Sequence, residues 1–83
     1  PNPFNPITKM YYTLPVRSKV SISIYNVLGQ EVKNIINKQQ DYGKHMISWN
    51  GTDYMGREMA SGVYFSRMTT DGFSQTKKML LLK

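Results

Sequence analysis

The chain of 83 residues contains no cysteine. That excludes a disulfide framework, a thiolate zinc site and a cysteine nucleophile. Small secreted domains often depend on disulfides, so this one has to hold together by packing. Histidine is nearly absent: His45 is the single copy, and carboxylates number five. No two carboxylates are spaced as an acid/base pair, and Ser61-Gly62 lacks the Gly-x-Ser-x-Gly elbow of a hydrolase. His45 shares a strand register with Ile47 and Trp49, which predicts a packed or rim residue rather than a catalytic one. Neither an enzyme nor a cofactor is expected. Long apolar runs are missing too; the longest is Met79-Leu80-Leu81-Leu82, far short of the ~20 residues of a membrane span.

What is present is positive charge, a net +6. Most basic residues are scattered singly, and only Lys77, Lys78 and Lys83 cluster. Dispersed charge of this kind favours solubility, and nucleic-acid binding is not expected. Leu, Ile, Val and Phe make up 19 of the 83 residues, above the level of disordered chains. The length predicts a single domain over residues 1–83 with one thin core, burying roughly 63% of the extended chain's surface. The sequence opens at Pro1 with neither an initiator methionine nor a charged-then-apolar leader, which points to a piece of something longer.

The hydrophobic period is two almost throughout. Met10, Tyr12 and Leu14 share a face, and Val20, Ile22 and Ile24 alternate with Ser21, Ser23 and Tyr25. A weaker strand follows over Val32 to Ile36, where adjacent Ile35 and Ile36 blur the face assignment. His45, Ile47 and Trp49 mark the next. Gly62 to Thr70 carries Val63, Phe65 and Arg67 on one side and Tyr64, Ser66 and Met68 on the other. The last strand runs from about Phe73 to Leu82. Turn residues separate these runs at Leu28-Gly29-Gln30, Asp41-Tyr42-Gly43, Asn50-Gly51, Met55-Gly56 and Ser61-Gly62. Asp71-Gly72 signals a two-residue hairpin between the last two strands. No window has helical periodicity with a cap. The pattern predicts an all-β, antiparallel, immunoglobulin-like sandwich of six or seven strands.

Four features invite a functional reading. Asn2, Pro3, Phe4, Asn5 and Pro6 belong to a Pro-rich entry segment over residues 1–6, extended by its prolines and expected along a sheet edge with Phe4 as anchor. Asn50 to Gly56 could be tested as a calcium loop, but two candidate ligands predict a turn bonded to its own backbone instead; no metal is expected. Tyr11, Tyr25 and Tyr64 are expected opposite the apolar register, as a binding stripe for sugar or protein or as cross-strand pairs on an exposed face. Finally, Lys77, Lys78, Met79, Leu80, Leu81, Leu82 and Lys83 form a strand that is apolar on both faces. Either both faces are covered, or one is offered to a partner by edge pairing.

Asn2-Pro3-Phe4-Asn5-Pro6, Leu28-Gly29-Gln30, Trp49-Asn50-Gly51, Ser61-Gly62-Val63-Tyr64 and Thr76-Lys77-Lys78-Met79, in that order, resemble the type A C-terminal sorting domain of type IX secretion cargo. The same pattern is similar to the immunoglobulin-like domain of the flagellar hook-capping protein. The sorting-domain resemblance implies passage through the periplasm to the cell surface or beyond. It also implies partners: an outer-membrane translocon that recognises the domain and a surface sortase that removes it. Recognition would rest on Gly62, Val63 and Tyr64 and on Lys77 to Lys83. The competing expectation is a structural subunit that joins copies of itself through edge strands or the N-terminal arm into filaments. Asn50 stands where the family often has aspartate, and six methionines replace branched aliphatics, giving a softer core.

Overall fold

The computed structural model describes residues 7–83; the entry segment with Asn2, Pro3, Phe4, Asn5 and Pro6 lies outside the described residues. Six antiparallel strands follow one another: β1 (Thr8–Leu14), β2 (Ser18–Tyr25), β3 (Glu31–Gln40), β4 (Gly43–Trp49), β5 (Gly62–Thr70) and β6 (Phe73–Leu81). They build a two-stranded sheet, β1-β4, and a four-stranded sheet in the order β3-β2-β5-β6. This is the all-β immunoglobulin-like sandwich the alternation predicts.

The β2 pattern works as read. Val20, Ile22 and Ile24 are buried, and on the opposite face Ser21 and Ser23 each accept a hydrogen bond from Asn34 Nδ2, at 3.1 and 2.9 Å. β3 is longer than its apolar stretch, because pairing along all of β2 carries it through Lys38 and Gln39 as far as Gln40. Its register also explains the awkward isoleucine pair. Ile22 faces Ile36 while Ser23 faces Asn34, so Ile35 is an extra residue in the ladder. Such a bulge lets neighbours share a face. Ile35 packs against the cluster of Ile24, Val32, Trp49, Tyr64, Met79 and Leu81. Ile36 packs against a second cluster of Leu14, Val20 and Ile22. Burying an aliphatic side chain of this size contributes about 1.5–3 kcal/mol, so two small clusters can replace the missing disulfides.

The hairpin signal is also met: Thr70 pairs with Phe73 across Asp71-Gly72, and Gly72 takes φ +75°. In the turn before β3, Asn26 Oδ1 accepts the amides of Leu28 and Gln30 at 2.9 and 3.0 Å. Where the chain changes sheets, Arg17 of the β1–β2 corner pairs with Asp41 of the β3–β4 corner. His45 stacks on Tyr12 with ring centroids 5.3 Å apart, a rim position as expected.

Candidate functional site

The residues singled out for partner recognition converge on one hairpin. Gly62 pairs with Leu81, Val63 with Leu80 and Tyr64 with Met79. The pleat then divides them. Tyr64, Met79 and Leu81 point into the core, whereas Leu80 is 58% and Leu82 69% exposed. Lys77 and Lys78 are exposed, and Lys83 folds back: its amide donates to Ser61 Oγ at 3.2 Å and its Nζ lies 3.9 Å from Glu58 Oε2. The two apolar faces of the last strand are thus resolved, one covered within the fold and one open to solvent. β6 is an edge strand, paired only with β5 among the described residues.

The expected tyrosine stripe is not formed. Tyr11 is exposed on β1, Tyr25 lies on the outer face of β2 and Tyr64 is buried. The reason is that the inner face of β5 consists of Tyr64, Ser66 and Met68, not Val63 and Phe65. A buried serine inverted the apparent hydrophobic register. Tyr64 meets Trp49 edge to face at 5.1 Å, and its hydroxyl donates to the Ala60 carbonyl at 2.7 Å. A tyrosine near a strand start whose hydroxyl returns to backbone just upstream is the tyrosine corner of Greek-key sandwiches. Its place two residues after Gly62 was the signal that could have put it inside.

The loop after β4 is a self-bonded turn. Asn50 Oδ1 accepts from the Thr52 hydroxyl at 2.6 Å, and Trp49 Nε1 donates to the Thr52 carbonyl at 2.8 Å. Asp53 Oδ1 accepts the amides of Met55 and Arg57, both at 2.9 Å; its Oδ2 accepts from Arg57 Nε at 2.9 Å and lies 2.8 Å from Nη2. Burial alone would raise the Asp53 carboxyl; the Arg57 amide and guanidinium and the Met55 amide outweigh it and hold the group below its ordinary 3.8. Both carboxylate oxygens are therefore committed to groups of the loop itself. Gly51 supports the turn with φ +77°, and a Cβ there would stand 3.1 Å from Leu81 Cδ1.

A feature with no counterpart in the sequence reading lies between β1 and β6. The four-stranded sheet reaches past the two-stranded one, leaving an open groove of about 400 Å³. Met10, Ile22, Met68 and Met79 line it, together with Lys9, Lys77 and Lys78. Among the described residues no carboxylate lines the groove. Asp41, Asp53 and Glu58 pair with Arg17, Arg57 and Lys83, and Glu31 accepts from the Tyr54 hydroxyl at 2.6 Å. Among the described residues, Lys9, Lys77 and Lys78 take part in no ion pair.

Residues 6–72 match the family described as the FlgD Ig-like domain. Among solved structures, the crystal structure of FLGD from P. aeruginosa is similar, with a TM-score of 0.67 and 30% identity. That match covers 92% of this chain and 60% of the other, so the chain spans little more than half of that protein. No curated protein matches. Fold, family match and solved relative agree on the immunoglobulin-like relationship: this chain belongs to the FlgD Ig-like domain family.

Proposed function

We propose that the chain is a non-catalytic sorting and surface-anchoring module, read by an outer-membrane translocon of the type IX kind through its β5–β6 hairpin. The observation that carries this reading is the edge position of β6, with Lys77, Lys78, Leu80 and Leu82 all exposed. An unpaired edge offers backbone donors and acceptors to an incoming strand, and alternate side chains give specificity. The chain would pass through the periplasm and be processed by a sortase at the surface. Tyr64, Met79 and Leu81 would serve by holding the hairpin in shape rather than by touching the partner.

A second reading is favoured by the family itself: an assembly domain related to hook capping, joining copies of itself or neighbouring subunits. The two separate in one experiment. The chain is fused behind a periplasmic reporter in a bacterium with a type IX translocon, and in its translocon deletion. The expected result is reporter at the cell surface only when the translocon is present, and its retention by K77E/K78E and L80D, which alter exposed positions. Retention of the unaltered fusion, or export without the translocon, overturns the sorting reading. Ordered polymers of the purified chain by light scattering and negative stain support assembly in its place.

A further inference from the structure

We propose that the groove between β1 and β6 is a strand-acceptor site for an extended acidic segment of a partner protein. That segment would pair with the free edge of β1 and lie over the open stretch of the β6 inner face at Gln75 and Lys77. The inference rests on the chain being a docking module, and is independent of any secretion route.

The two sheets are unequal. Two strands lie over four, and β1 is paired only with β4 among the described residues. On β6 the side chains alternate, so Gln75 and Lys77 share the inward face with buried Met79 and Leu81. Their partners across the ladder are Met68 and Ser66, which belong to the inner face of β5. Ser66 is buried and Met68 half-buried, yet Gln75 and Lys77 beside them are exposed, so among the described residues the β6 side of this inner face lies open. A sheet normally buries one face against a second layer, and one added strand beside β1 supplies that layer. It would also satisfy the outward amides and carbonyls of β1, whose residues Thr8 to Tyr12 form one wall of the groove.

Charge selects the occupant. The floor is apolar and adaptable through Met10, Met68 and Met79, while Lys9, Lys77 and Lys78 surround it and take part in no ion pair among the described residues. A second copy of this chain, itself carrying +6, would bring like charges together if it docked face to face. The fitting chemistry is a strand with apolar residues facing Met68 and Met79 and carboxylates facing the lysines.

The test is a fluorescence-anisotropy titration of the whole chain with a short labelled peptide alternating valine and glutamate. A valine–lysine peptide and a proline-interrupted acidic peptide serve as comparisons. The acidic peptide should bind at least about tenfold more tightly than either comparison, and more weakly as salt rises. K9E/K77E should weaken binding about tenfold, whereas K38E on β3 should leave it unchanged. Amide NMR shifts should centre on Thr8 to Tyr12. Equal affinity for both charge patterns, equal loss with K38E, or shifts centred on β3 would overturn the proposal. A concentration-dependent dimer abolished by K77E would overturn it in favour of a second copy. Circular dichroism of each variant separates lost binding from lost folding. Failure here with export intact would leave the sorting reading standing, and the reverse holds equally.

Discussion

At the scale of single residues, the loop after β4 shows how a short polar run bonds to its own backbone and side chains. Asp53 is nearly buried yet ionised, because two amides and a guanidinium replace the water it loses. Its depressed carboxyl ties stability to pH in one direction. The contribution is complete above the unfolded-chain value near 3.8 and is lost as pH falls through the lower folded value. D53N should therefore lower the urea midpoint near neutral pH, and the gap from the parent should narrow in strong acid. Urea titrations at both pH values check this; a gap that stays constant would remove Asp53 from the acid response. Asn50 and Asp53 were legible as turn formers from their types. Arg57 was not, since a lone arginine among scattered basic residues carries no mark of its partner.

At the scale of elements, β6 is where sequence and structure part company. Its alternation is plain, but an alternating pattern names two faces without saying which is covered. Packing decides: Leu81 is 1% exposed, beside Gly51 and in the Trp49 cluster, while Leu80 points away. Leu81→Ala should cost about 2–5 kcal/mol through transfer and cavity terms. Leu80→Ala should stay within about 0.5 kcal/mol, as at ordinary surface positions. Equilibrium unfolding of the two variants measures both, and equal losses would mean that the outer face is also packed. β5 gives the same lesson in reverse, because Ser66 is buried opposite Lys77 and disguises the inner face. In β3 the bulge, a property of the pairing with β2, lets Ile35 and Ile36 both reach the core.

At the scale of the whole molecule, a two-over-four sandwich has protected and unprotected strands by construction. β2 lies between β3 and β5, so its amides find partners on both sides; among the described residues β1 and β6 are bonded on one side only. Hydrogen exchange followed by NMR should find the slowest amides in β2 and β5, near the global unfolding limit. In β1 and β6, alternate amides should exchange quickly. Uniform protection along β6 would show that its edge is already occupied, and would remove the support it lends to a docking role.

Composition and period by themselves determined the strand class, the positions of the turns and the Asp71-Gly72 hairpin, because side-chain alternation and glycine's freedom at positive φ are local properties. They also marked Lys77 to Lys83 as unusual. Only the tertiary structure decided which face of β5 and β6 is inside, that Tyr64 is a corner rather than a surface stripe, and that a lysine-lined groove opens beside β1. Those outcomes depend on which strands meet across the sandwich and how far each sheet extends, and such distances between remote segments leave no trace in a two-residue period.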